Sequence, residues 1–252
     1  MARSITVREI RIPVDKIGAL SPEQRYTYYL LGFIYNELVA LRKMASFALL
    51  AARSEDQRPV RKNADMSQVL MLFRFSCAKS WEALVKLHSK EVNGILRSDV
   101  YVHWPEGLEA MKRVNQAAAA ANWLSSLRNE LAFHYPSMKQ WEPSITPKES
   151  WTDDVMYIGK QTGNVFHEAA DSVANVHLFG ERMQKEGRVI QMVDEMIDLL
   201  GLIVEFVEHA LGVFVGEVIF DGVLPTGPEH KLSVREYIDV RLPFWTSMEK
   251  AP

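Results

Sequence analysis

The chain has 252 residues, of which 48% are hydrophobic and 24% charged, with a formal net charge of −3 and one cysteine. That is enough apolar material for a sizeable core without staples, and a lone cysteine excludes an internal disulfide. The slightly acidic balance excludes a broad basic surface for gripping duplex nucleic acid, so any nucleic-acid role must rest on a local site.

The N-terminus, MARSITVREIRIPV, lacks the continuous apolar run of a secretory signal. Residues 1–20 read as a short extended arm. Ile10, Ile12 and Val14 fall at period two, and Pro13 confines such a strand to an edge. Ser21-Pro22-Glu23-Gln24 is a helix opening, with serine as cap, proline at the first helical position and Gln24 where a capping-box partner belongs. Apolar residues at helical spacing then predict a helix to about Ala52. Residues 53–64 (RSEDQRPVRKNA) read as a polar loop. Its Arg58, Arg61 and Lys62 are candidate RNA-guiding residues, and Glu55 and Asp56 beside them suit a merely solvated loop.

A second long helix is predicted from about Asp65 to Leu96, with Cys77 as a buried, inert thiol. After a break at Tyr101 to Trp104, Pro105-Glu106 opens a third helix. It continues through the alanine run Ala117 to Ala121 and ends at His134, because Pro136 disfavours helix in the residue before it. Residues 136–153 are irregular. A small hairpin is expected near 155–166, around Gly159-Lys160-Gln161-Thr162, then helices over about Val165 to Phe179 and Arg188 to Val215. The most apolar stretch, Ile197 to Val215, contains Asp198, Glu205, Glu208 and His209, which suits a core helix with a polar stripe better than a membrane span. The tail, with Pro225, Pro228 and Pro243, reads as mostly loop.

The expectation is an all-α fold, a bundle of four to five long helices in a single domain. Residues 1–20 form the arm, 21–220 the bundle and 221–252 the tail. The chain reads as cytoplasmic, with no membrane association.

The segment richest in chemistry is Trp123-Leu124-Ser125-Ser126-Leu127-Arg128-Asn129-Glu130-Leu131-Ala132-Phe133-His134-Tyr135. On an ideal helix Arg128 and His134, six apart, differ by about 600°, or about 120° short of two turns. They converge if the helix unwinds near His134, or across a two-fold dimer in which each chain supplies its pair to one cleft. Histidine can trade protons near neutral pH, and the guanidinium fork fits phosphate oxygens. Asn129 could orient either group. A helix C-terminus beside His134 would favour its protonated form. That set suits attack of an RNA 2′-hydroxyl on the neighbouring phosphate, giving a 2′,3′-cyclic phosphate. The bland alternative is an arginine that pairs with a carboxylate and a histidine that closes a helix.

Arg128-Asn129 followed by His134 after four further residues resembles the motif of the HEPN superfamily (higher eukaryotes and prokaryotes nucleotide-binding). The resemblance covers seven residues and the helical layout. It implies a homodimer with Arg128, Asn129 and His134 at an interface site, a metal-independent endoribonuclease activity of defence or toxin type, and an antitoxin or regulatory protein as partner. It equally accommodates a non-catalytic module that binds RNA, nucleotide or protein. Some toxins of this superfamily carry a tyrosine two residues after the histidine, where a partner can modify it. Here Tyr135 follows at once and Pro136 fills that position, which departs from that pattern, so Tyr135 reads as a packing residue or as a wall of the site that contacts substrate. No cofactor and no metal are expected. His167 and Asp171 lack a third ligand, and Glu205, Glu208 and His209 lack the doubled glutamate-histidine spacing of di-iron bundles. The chain has no GxSxG, Walker or GxGxxG motif.

Overall fold

A computed structural model describes residues 2–56, 58–124, 137–146, 154–160, 164–180 and 187–246, and it is predominantly α-helical. In chain order the elements are β1 (Ala2–Arg8), α1 (Val14–Ala19), α2 (Pro22–Ala52), α3 (Pro59–Leu87), α4 (Lys90–Ile95), α5 (Gly107–Ala120), α6 (Met138–Ile145), β2 (Met156–Ile158), β3 (Val165–His167), α7 (Glu168–Phe179), α8 (Arg188–Val213) and β4 (Glu229–Arg235). Wider π-type turns follow α4 over Leu96–Val100 and α8 over Phe214–Ile219.

Local chemistry explains several boundaries. The capping box at α2 forms as its sequence requires: the Ser21 amide donates to Gln24 Oε1 at 2.9 Å, and the Gln24 amide donates to Ser21 Oγ at 3.1 Å. Gln24 Nε2 also donates to Asp99 at 2.7 Å, tying the helix start to the turn after α4. The helix ends at Ala52, as predicted.

The chain divides into two compact units, and α2, α3 and α8 contribute residues to both. The first comprises residues 1–42, 79–122 and 198–240, the second residues 43–78, 123–197 and 241–252. The first unit buries Leu31, Leu38, Leu96, Val100, Ile203, Phe206, Val207 and Phe214, and Tyr28 stacks on Phe214 with ring centres 6.0 Å apart. It also carries an antiparallel ribbon of β1 and β4, in register from Ala2↔Arg235 to Arg8↔Glu229. Gly227 is needed where the ribbon begins, because a Cβ there would overlap the Glu9 carbonyl oxygen. The second unit is built around Phe73, whose ring meets Trp123 at 5.3 Å and Phe179 at 5.8 Å. Trp123 Nε1 donates to Glu195 at 2.9 Å, and Glu195 also accepts from Arg188 at 2.9 Å. An aromatic body thus buries its polar tip only by pairing it. Cys77 is fully buried with Sγ 3.7 Å from Met196 Sδ, and burial pushes its thiol pKa well up.

α8 buries Met192, Val193, Met196, Leu199, Leu200, Ile203, Val204, Phe206, Val207 and Ala210, a helical stripe, while Asp198, Glu205, Glu208 and His209 stay exposed. This is the polar stripe its sequence predicts. By length and composition alone, the helix with its following turn would also suffice to cross a membrane.

Other boundaries differ from the sequence reading. The N-terminal strand is β1 rather than Ile10 to Val14. Ile5 and Val7 alternate with Ser4, Thr6 and Arg8 and find a partner strand, whereas Pro13 precedes the short helix α1. That partner is β4, in a tail expected to be mostly loop. α3 begins at Pro59, six residues earlier than predicted, because proline is well suited to a first helical position. It ends at Leu87, where Ser89 restarts the chain as the N-cap of α4, its Oγ accepting from the Val92 amide at 3.4 Å. The alanine run does not carry α5 to His134. The chain leaves helical geometry at the buried Ala121, where φ is −77° and ψ is 59°, against the high helix propensity of alanine. The small hairpin is present, with Met156↔His167, Tyr157↔Phe166 and Ile158↔Val165 paired, so residues 165–167 are strand and α7 starts at Glu168.

Candidate functional site

Arg128, Asn129, His134 and Tyr135 lie outside the described residues. The remaining candidates, Arg58, Arg61 and Lys62, lie at the start of α3. Here the structure builds an open pocket of about 570 Å³ within the second unit, lined by Arg58, Val60, Arg61, Asp65, Met156, Tyr157, Ile158, Gly159, Pro243 and Trp245. That volume falls in the range of small-molecule sites.

The pocket is assembled in steps. Pro59 fixes the first turn of α3, which places Arg58 and Arg61 beside Asp56. The Asp56 carboxylate accepts Arg58 Nε at 2.9 Å, Arg58 Nη2 at 2.6 Å and the Arg58 amide at 3.2 Å. Those bonds hold its pKa well below the usual carboxylate range. Arg61 reaches Asp56 with Nη1 and Asp65 with Nε, both at 3.6 Å. The result is an alternating row, Arg58–Asp56–Arg61–Asp65, with Asp65 innermost at 1% exposure. Lys62 is exposed, and among the described residues it makes no ion pair.

A strap formed by residues 242–246 closes one side. Hydrogen bonds tie it to the helices beneath: Leu242 N donates to Phe47 O at 3.2 Å, Gln68 Nε2 to Leu242 O at 3.1 Å, Phe244 N to Asp65 Oδ1 at 2.7 Å, and the Trp245 indole Nε1 to Val60 O at 2.8 Å. Asn164 and Thr246 exchange two further bonds. The rings of Tyr157, Phe166, Phe244 and Trp245 continue one another, with successive centres 6.3, 5.3 and 5.1 Å apart. Burial, followed by a hydrogen bond to Glu168, pushes the Tyr157 phenol up.

Chemically, the pocket offers the aromatic side chains of Tyr157 and Trp245, guanidinium groups of Arg58 and Arg61 and a buried carboxylate. Asp65 Oδ2 has no hydrogen-bond partner, although Arg61 stands 3.6 Å away. A group with an aromatic ring, a hydrogen-bond donor and a negative charge would find a counterpart for each. Arg58 and Arg61 are already engaged by aspartates, so an anion binding there must share or displace Asp56. Sequence reasoning did not single out Asp65, Tyr157 or Trp245. The available signal was Phe244-Trp245, an aromatic pair in a tail otherwise read as loop.

Two other pockets carry titratable groups. In the second unit, Trp141, Ile145, Asp154, Val155, Met156 and His167 line about 450 Å³. Asp171 accepts a hydrogen bond from Asn175 Nδ2 at 2.9 Å. In the first unit, His209 stacks on Trp104 with centres 5.5 Å apart, and its Nδ1 lies 2.8 Å from the Glu205 carbonyl, beside Glu106 and Arg113 in about 170 Å³. Among the described residues no group of three His, Cys, Asp or Glu side chains is placed to hold a metal. No family model, characterised protein or solved structure matches the chain.

Proposed function

We propose that the protein is a HEPN-like, metal-independent endoribonuclease, its long helices forming one bundle of that type and two copies sharing the site. The observation that carries the reading is Arg128-Asn129 followed by His134 in a predominantly helical chain. In this mechanism the RNA 2′-hydroxyl attacks the adjacent phosphorus and gives up its proton to solvent water, and the bond from phosphorus to the 5′-oxygen breaks. His134 delivers a proton to the departing 5′-oxygen, and Arg128 neutralises the charge that builds on the phosphoryl oxygens, with Asn129 as its positioning neighbour. The products are a 2′,3′-cyclic phosphate and a free 5′-hydroxyl. A defence or toxin setting, with a protein that restrains the activity, belongs to the same proposal, as does a cytoplasmic location.

A second reading is favoured by the pocket at the start of α3. Its guanidinium, aromatic and carboxylate lining supports a non-catalytic module that holds a nucleotide or a single-stranded RNA base against Trp245. The two readings separate in one experiment: a mixed single-stranded RNA is incubated with the protein in EDTA, and both product ends and Trp fluorescence are followed. Cyclic-phosphate ends support the nuclease. Fluorescence quenching that is lost in Trp245→Leu, with the RNA intact, supports the binding module.

A further inference from the structure

The ribbon of β1 and β4 is exposed on both faces and at both edges. Arg3 to Arg8 of β1 are exposed, and in β4 only Val234 is partly covered. An isolated two-stranded ribbon is marginal in water, and a seven-residue open edge is a template for another strand. One face carries Ile5, Val7 and Leu232 at 44%, 42% and 47% exposure, with Val234 beside them.

The backbone fixes which edge groups are free. The Glu9 amide donates to the Pro228 carbonyl at 3.0 Å. Alternation along an antiparallel pair therefore turns the backbone of His230, Leu232 and Val234 toward β1. The N–H and C=O groups of Glu229, Lys231, Ser233 and Arg235 point outward, with no strand partner among the described residues.

We infer that β4 pairs edge to edge with β4 of a second copy, across a two-fold axis at Leu232. Only registers that match outward groups to outward groups can form a ladder. Centred on Lys231, such a register opposes two lysines, and centred on Ser233 it opposes Lys231 to Arg235. Centred on Leu232, it sets Glu229 against Arg235 of the second copy twice, Lys231 against Ser233 twice, and Leu232 against itself. Opposite charges directly across a ladder stabilise it, and like charges destabilise it. Glu229 then lies between Arg8 of its own chain, 3.2 Å away, and Arg235 of the second copy. The outer edge of β1 is the poorer choice, since β1 carries Arg3 and Arg8 and no acid. The product is a four-stranded sheet, β1-β4-β4-β1, whose one face joins Ile5, Val7, Leu232 and Val234 from both copies. Because the contact is isologous, this interface joins two copies and no more.

The test is solution mass by light scattering at roughly 100 µM, a concentration at which contacts of this kind register. Wild type is expected to be a dimer. Glu229→Arg and Arg235→Glu alone each place like charges opposite one another and weaken the dimer at least about tenfold. The double variant Glu229→Arg/Arg235→Glu restores it. In a Cys77→Ser background, Leu232→Cys oxidises to a covalent dimer. A wild-type monomer would overturn the inference. So would a dimer that ignores both single charge changes and fails to cross-link at position 232, which would place the contact elsewhere.

Discussion

Replacing Asp65 by alanine leaves the Phe244 amide without its acceptor, and the strap of residues 242–246 loses its most deeply buried anchor. The bond is 2.7 Å long and the acceptor is a carboxylate with 1% exposure. A hydrogen bond to a charged group contributes about 1.5–3 kcal/mol, and an unpaired buried amide costs a comparable amount. The Arg61 contact adds little, since the guanidinium is partly exposed and 3.6 Å away. Asp65→Asn keeps a side-chain oxygen for the amide and should cost less than about 1 kcal/mol. The remaining strap bonds persist in both variants, so the effect is local. Hydrogen exchange of the peptide covering 241–246 reads it directly. A loss of about 1.5–3 kcal/mol speeds exchange at Phe244 by about ten- to a hundredfold in Asp65→Ala, with a smaller change in Asp65→Asn. Equal protection in wild type and Asp65→Ala would refute the assignment of Asp65 as the anchor.

Asp56 sets a pH dependence. Its folded pKa is depressed, chiefly by hydrogen bonds from Arg58. Its contribution is therefore complete above the unfolded carboxylate pKa, about 3.9, and is lost as pH falls below that toward the folded value. The stability difference between wild type and Asp56→Asn should accordingly be present at neutral pH and shrink on acidification below about pH 4 in urea titrations; a difference that grows in acid would contradict the geometry. Cys77, buried and with its thiol pKa pushed up, should react with a thiol reagent only as the protein opens. Stoichiometric labelling of folded protein within seconds would contradict that burial. Ser21→Ala removes one half of the capping box and should destabilise the protein by about 1 kcal/mol, while Ser21→Asp should restore most of it, both read from urea midpoints.

Legibility followed the range of the physics. Signals complete within a few residues were readable: Ser21 and Gln24 cap α2, and the turn residues near Gly159 give the β2–β3 hairpin. The apolar stripe of α8 leaves Asp198, Glu205, Glu208 and His209 on its outer side. Features that need a distant partner were not readable. β1 and β4 are separated by more than two hundred residues, so Ile5 and Leu232 carry no joint signal until the chain folds. Ala121 leaves the helix against its own propensity. The pocket shows the same division. Arg58 and Arg61 stood out as a basic cluster, but Asp56, two residues from Arg58, neutralises part of it. The depth of the site comes from Asp65 and Trp245, joined only through the strap. The Arg128 to His134 motif remains a reading of sequence alone.

The most direct test of the central proposal is cleavage of single-stranded RNA in the presence of EDTA by wild type and by His134→Ala, with both proteins shown to be folded. Cleavage by the wild type alone, leaving 2′,3′-cyclic phosphate ends, is the predicted result. Equal cleavage by both proteins, or intact RNA under every condition in which the protein binds it, would contradict the nuclease account.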